Sequence, residues 1–379
     1  MLRALRDWRV WALTLTIQGP GARAIVRYAP RPAVVLPLVI LSSIAAYAVC
    51  LHRPLPSWLR RAGSRVEGIA AVLCLTAAIG VVAYPKVDAR RVHGLGSDED
   101  DALIQTAERL VTFQRPLYIP TYLGNAPSVG PGWALLMSPL AVTGMYPLLT
   151  PLAMAVLIST VRRSGGGEAG TALALALPLA SPAFWELFAA GSDLFAIGVL
   201  FVVLTRLAWS GWKAASKKSI AAAALVCAAA SARASFAWVT ACVSLFMWRK
   251  GRPGAALAAG VTAATVAAEA WFWLPRSEQT PLSLISKLSG LLGIGGSVMA
   301  VAAAVASVAW ASLHLGDSIE SWWLGLWVTL VVPLAIVSLG VLAALGWQIA
   351  EWQAAGYVEV AVPALVAYVA ATARRRDAP

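Results

Sequence analysis

The sequence predicts an all-α protein, a polytopic transmembrane helical bundle, and three observations carry that prediction. Of its 379 residues, 59% are hydrophobic and only 13% are charged, about half the charged share of an ordinary soluble domain. Apolar runs recur along most of the chain, while the short alternating segments of a transmembrane β-barrel are absent. Basic residues sit in short clusters between those runs, as in the cytoplasmic loops of membrane proteins. The same clustering accounts for the net charge of +12 without nucleic acid as a partner.

The N-terminal stretch "MLRALRDWRVWALTLTI" has no cleavable signal peptide. It puts Arg3, Arg6 and Asp7 on one helical face and Leu2, Leu5, Trp8 and Trp11 largely on others. Residues 1–31 therefore read as a basic, amphipathic segment lying on a membrane surface, with 32–379 as the transmembrane domain.

Spans are expected at 32–51, 66–84, 133–161, 170–187, 191–208, 219–232, 235–248, 254–274, 291–313, 322–345 and 356–372, about ten or eleven in all. The third carries a break near Gly144 to Pro147. Tryptophans at segment ends, among them Trp133, Trp185, Trp212 and Trp248, suit interfacial belts. The four cysteines lie in or beside apolar segments and read as packing residues. Three scattered histidines, His314 among them as a loop residue, make no zinc site.

Arginine and lysine set the orientation. The connections 52–65, 162–169, 206–218 and 249–252 and the C-terminal tail are all basic, and one threading places them together on the cytoplasmic side. The loops 85–131, the longest, and 275–290 then lie outside. One conflict remains: if 32–51 spans, Arg3, Arg6, Arg9, Arg23, Arg27 and Arg31 fall on the external side, unless 32–51 is a re-entrant or peripheral hairpin.

The long external loop concentrates acid in an acid-poor chain: Asp98, Glu99, Asp100 and Asp101 are consecutive. From Asp98 to Gln114 the pattern is helical, with Leu103, Ala107 and Leu110 on one side. Ser97 and Asp100 match a capping box, and acids suit the first turn of a helix. That explains one or two carboxylates; four exceed what capping needs, and a general base at the membrane surface is the competing reading. Downstream, Tyr118, Tyr122 and Asn125 offer hydroxyl and amide groups beside aromatic faces, a combination suited to sugars, or form a turn-rich connector.

An apolar span, an acidic external loop whose helix starts with paired acids, an aromatic and proline-rich segment and then "PGWALLMSPL" follow one another. This order resembles the GT-C superfamily of integral-membrane glycosyltransferases, in particular its bacterial, polyprenyl-phosphate-sugar-dependent, mannosyltransferase-like branch. Asp100-Asp101 best matches the family's acidic pair, with Asp98-Glu99 as the other register. "PAFWELFAAGSDLFAIGVLFVVLTRLA" is similar to its short external turn and returning helix, which begins here with Asp193. "AAAALVCAAASARASFAWV" is similar to its kinked segment around a basic residue, here Arg233. The likeness covers about residues 66–250, with 251–379 as variable C-terminal helices; Leu103 and Ile104 depart from it, standing where an aromatic residue is usual.

The resemblance implies transfer of mannose or a related sugar from a polyprenyl-phosphate donor to a glycan or lipid-linked acceptor. The transfer is inverting and takes place on the external face of a bacterial inner membrane. Asp100 would be the base, with Asp101 and Asp98 next. Arg233, Arg276 and Lys287 would meet the donor phosphate, while Trp133, Asp193 and Glu269 join Tyr118, Tyr122 and Asn125 around sugar and acceptor. Two of these have plainer readings: Arg233 as a partner of Asp193 or Glu186, and Glu269 as the partner of an arginine. No nucleotide-binding motif is present, no cofactor is implied, and a divalent cation on the carboxylates ranks below a metal-free site. The competing functions are a transporter or flippase of lipid-linked glycans and a catalytically inactive GT-C-like partner protein.

Overall fold

The computed structural model describes residues 6–89, 98–114, 117–213, 216–233, 236–273 and 283–377, at backbone level alone for 266, 268–273, 283–288 and 374–377. Of the described residues 81% are helical, and none of them lies in a strand. In order, the helices are α1 (Trp8–Leu13), which continues as a π-helical turn (Thr14–Gln18), α2 (Gly21–Tyr28), α3 (Pro32–His52), α4 (Ser57–Ser64), α5 (Val66–Asp88) and α6 (Glu99–Val111). Then come α7 (Pro131–Val142), α8 (Leu149–Arg163), α9 (Gly167–Leu179), α10 (Pro182–Ala189), α11 (Leu194–Trp209), α12 (Lys217–Ala232) and α13 (Ala237–Arg249). The last are α14 (Ala255–Trp273), α15 (Ser283–Leu313), α16 (Ile319–Ala344), a 3-10 segment (Gln353–Ala361) and α17 (Val362–Asp377).

Among the described residues, five helical stretches are long and apolar enough to cross a membrane: Pro32–His52, Val66–Asp88, Ser289–Leu313, Ile319–Ala344 and Gln353–Ala373. Two bent pairs raise the number to seven if each counts as one span, against the ten or eleven expected from sequence. The first pair, Pro131–Val142 with Tyr146–Arg163, bends by 114° at the break expected near Gly144 to Pro147. The second, Gly167–Leu179 with Pro182–Ala189, bends by 66° inside the expected span 170–187.

The difference in number has a physical cause. Helix α11 has 16 residues, about 24 Å at 1.5 Å per residue, short of a bilayer core of about 30 Å. Its Leu194, Ile197, Phe201 and Leu204 are buried by neighbouring helices. A helix surrounded by protein is as apolar as one surrounded by lipid, so hydropathy counts both. By contrast, α3 exposes Val34, Leu38, Leu41 and Val49, and α5 exposes Leu75, Val81 and Val82, as lipid-facing helices do.

Helix direction sorts the chain into two poles. At one, the Arg206 side chain donates from Nε to Ser164 Oγ (2.8 Å) and from Nη2 to the Arg163 carbonyl (3.3 Å). Lys250 Nζ reaches Asp317 at 2.6 Å. Helices α8, α11 and α13 end at this basic pole. Their other ends, with the end of α12, meet at an acidic pole around Asp100 and Asp193.

The N-terminal segment is part of the bundle. Val10, Leu13 and Ile17 are buried in the common core, and Gln18 Nε2 donates to Tyr47 Oη (2.9 Å) and to the Ala180 carbonyl (3.0 Å). Trp8, Trp11 and Leu15 remain exposed on the opposite side. The Asp7 carboxylate accepts from Arg9 (2.5 Å) and lies 3.2 Å from His52 Nε2. The chain thus rises through α1 and returns through α3, so Arg9 shares a pole with the end of α3. That hairpin removes the charge conflict for Arg9, because residue 7 and residue 52 end on one side.

Candidate functional site

The acidic pole is assembled from the ends of five helices. Helix α6 occupies Glu99–Val111, within the helix expected from Asp98 to Gln114. Asp98 stands at its N-cap but makes no capping hydrogen bond with its side chain. Instead, its Oδ2 accepts from the Thr121 hydroxyl and from Asn125 Nδ2, the latter at 2.9 Å. Asp98 therefore ties the aromatic and proline-rich segment to the start of α6. Asn125, expected at the sugar, is one of its two partners. Ser97 of the expected capping box lies outside the described residues.

Asp100 is 2% exposed. Tyr84, in the last turns of α5, donates its hydroxyl to Oδ2 at 2.7 Å, while Oδ1 is buried with no hydrogen-bond partner among the described residues. Burial pushes the Asp100 carboxyl up to about 7; the Tyr84 hydroxyl pulls it down, and the charge of Asp101 adds to the rise. A carboxyl that exchanges its proton near neutral pH is suited to general base work. Glu99, beside it, is also held above the usual carboxylate range by burial, an effect countered by Arg233 and Ser192. Asp101 is buried as well.

Gly191 lets these parts meet. It has φ of +73°, and a Cβ there would stand 2.6 Å from the Tyr84 ring and 2.9 Å from Asp100 Cβ. Both the left-handed backbone and the contact demand glycine. Its carbonyl accepts from the Tyr146 hydroxyl at 2.8 Å, and the Tyr84 and Tyr146 rings lie 6.0 Å apart.

A second buried acid, Asp193, opens α11. Arg233, at the end of α12, donates Nη2 to its Oδ1 (2.5 Å) and Nη1 to its Oδ2 (3.1 Å). The Trp133 indole N–H adds a 2.7 Å bond to Oδ2. Asp193 and Arg233 are 0% and 3% exposed, so each neutralises the other away from water. Trp133 is locked further by its backbone N–H, which donates to Ser231 Oγ at 2.6 Å. Gly132 permits that contact, since a Cβ there would lie 2.5 Å from the same oxygen.

The expected site residues thus divide. Asp98, Asp100, Asp101 and Asn125 converge at the start of α6. Tyr122 joins them: burial, then the charges of Asp98 and Asp100, push its phenol up to about 12. Tyr118 is buried with Leu117 against Leu110. Arg233, Asp193 and Trp133 form one closed network, the partner reading that the sequence left open for Arg233. Arg276 lies outside the described residues, and so do the side chains of Lys287 and Glu269. Sequence reasoning missed Tyr84 and Thr121, whose partners lie 16 and 23 residues away. It also missed Glu359, fully buried, with neither carboxyl oxygen hydrogen-bonded among the described residues. A lone acid in the apolar run "YVEVAVPALVAYVAA" was the available signal.

Along the C-terminal half of α6, a groove of about 370 Å³ is lined by Gln105, Glu108, Thr112 and Ile119, among others. Asp101, Gln105, Glu108 and Thr112 follow one another at helical spacing along that side of α6. Among the described residues, no three His, Cys, Asp or Glu side chains are grouped to hold a metal ion. No protein-family model, curated protein or solved structure matches the chain.

Proposed function

We propose that this chain is an integral-membrane glycosyltransferase that takes its sugar from a polyprenyl-phosphate donor. Asp100 serves as the general base, and the site lies on the extracytoplasmic side of a bacterial inner membrane. The observation that carries the reading is Asp100 itself: a buried carboxyl that titrates near neutral pH, one oxygen fixed by Tyr84 and the other without a side-chain donor among the described residues. In the reaction, the acceptor oxygen attacks C1 of the sugar and the bond from C1 to the phosphate oxygen breaks. The acceptor proton passes to Asp100, polyprenyl phosphate departs, and configuration inverts. Asp101 is the next candidate for the base. The groove along the C-terminal half of α6 supplies polar side chains for a glycan, and Tyr122 borders the acids at the start of that helix. Arg276 and Lys287 are assigned to the donor phosphate. Arg233 keeps α7, α11 and α12 joined beside Glu99 through Asp193. The separation of acidic and basic poles supports the external placement.

The test is sugar transfer from a polyprenyl-phosphate sugar by the purified protein in lipid nanodiscs. Asp100→Asn should reduce transfer by about 10²-fold or more, the usual contribution of such a base, with a thermal midpoint no lower than that of the parent protein. Full activity in Asp98→Asn, Asp100→Asn and Asp101→Asn alike would overturn the assignment.

A transporter or flippase of lipid-linked glycans is the second reading, because Glu359 is an acid inside a candidate span with no hydrogen-bond partner among the described residues. That reading expects Glu359→Gln to abolish movement of a fluorescent lipid-linked sugar across proteoliposomes, with Asp100→Asn still active.

A further inference from the structure

At the basic pole, α5 and α8 enclose a groove of about 360 Å³. Its walls are apolar, from Val66, Ile69, Leu73 and Ile158, and Arg162 and Arg163 stand at its rim in the last turn of α8. Both arginines are exposed, and neither forms an ion pair among the described residues. The side chain of Arg206 adds a third cation, anchored on Ser164 and on the Arg163 carbonyl. Among the described residues none of these three guanidinium groups forms an ion pair; like charges brought together repel, and an anion seated among them relieves that cost. The groove is remote from the acidic site: from Val66 to Tyr84 along α5 is 18 residues, about 27 Å at 1.5 Å per residue.

We infer that this groove binds an acidic phospholipid from the leaflet at the basic pole, its acyl chain along the apolar walls and its phosphate on Arg162 and Arg163. Charge complementarity selects an anionic headgroup over a zwitterionic one, since a guanidinium pairs with a phosphate in two parallel hydrogen bonds. The apolar walls select a lipid over a free anion, since they offer inorganic phosphate nothing. One wall is the candidate span Val66–Asp88, and the other is the second arm of the bent apolar pair Pro131–Val142 with Tyr146–Arg163. The inference is independent of the sugar-transfer reading, because it uses neither the acidic pole nor its chemistry.

The full-length protein in neutral detergent, titrated with phosphatidylglycerol, phosphatidylcholine or inorganic phosphate, tests it by native mass spectrometry and thermal shift. Phosphatidylglycerol should bind in discrete stoichiometry and raise the melting midpoint, with phosphatidylcholine and phosphate having little effect. The double variant Arg162→Gln, Arg163→Gln should weaken phosphatidylglycerol binding on the order of tenfold. Ser159→Trp, which fills the groove and keeps both arginines, should weaken it comparably. Since both arginines are exposed, the double variant keeps its fold, and its lipid-free midpoint verifies that. Unchanged binding in the double variant would overturn the proposal. Equal stabilisation by phosphate would assign a free-anion site instead. Unchanged binding in a folded Ser159→Trp protein would reduce the effect to surface charge and also overturn it.

Discussion

Asp100 and Asp193 are two acids buried at the same pole, and their partners differ. Asp193 faces a guanidinium that grips both its oxygens, and an indole N–H completes the arrangement. Asp100 has a phenol on one oxygen and, among the described residues, no side-chain donor on the other. A carboxylate paired with a cation keeps its charge and its geometry, and breaking the pair exposes the cost of burying what is left. A carboxylate given only a neutral donor meets that cost by taking up a proton. The first kind of site holds helices together, and the second exchanges protons with a ligand.

The largest expected effect comes from breaking the locked pair. Arg233→Ala leaves Asp193 charged and unpaired, and should destabilise the protein by about 3–5 kcal/mol, read as a lowered thermal midpoint in detergent. The combined Arg233→Met, Asp193→Leu protein should recover much of that loss, because no buried charge remains.

Next in size is a pH dependence specific to Asp100. Its folded value of about 7 lies above the ordinary 3.8, so the folded protein keeps a proton that the unfolded chain releases. Stability should therefore be highest at low pH with respect to this group, and fall as pH rises from about 4 to 7. The fall reaches on the order of 4 kcal/mol at its upper limit. Asp100→Asn should remove that slope, measured as the difference between the two proteins' stability curves. Activity should run the other way, rising through pH 7 as the base loses its proton.

Gly191→Ala sharpens the contrast from the backbone side. A methyl group against Tyr84 and Asp100, at a left-handed position, should cost about 2 kcal/mol. It should also disturb the Asp100 titration, while the Asp193 and Arg233 pair stays intact.

The parts of this architecture that are local in sequence could be read from it. Gly144 and Pro147 announce the break between α7 and α8, and the period of Leu103, Ala107 and Leu110 announces α6. Arg233 in an alanine-rich run announces a cation that needs a polar surrounding, because an unpaired one is costly there; the resemblance puts it on the donor phosphate, with Asp193 or Glu186 as the plainer alternative. The number of spans could not be read, since α11 is apolar for the sake of its protein neighbours. Tyr84 was hidden for a related reason: an aromatic residue at a span's end reads as an interfacial anchor. Its role depends on α5 and α6 meeting at Gly191, more than 100 residues further along the chain. Nor could the cap be read correctly. Asp98 takes the N-cap position, yet its side chain turns to Thr121 and Asn125, partners that only the folded loop provides.

The claim that Asp100 is the proton-exchanging acid of this pole can be measured without knowing the substrate. Isotope-edited infrared spectroscopy of ¹³C-aspartate protein, recorded across pH and compared with Asp100→Asn, reports the protonated carboxyl band of that residue. The account predicts a band that disappears around pH 7. In Tyr84→Phe the midpoint should move upward by on the order of one unit, because the phenol no longer stabilises the carboxylate. An Asp100 band that is already gone above pH 5, unmoved by Tyr84→Phe, would contradict it.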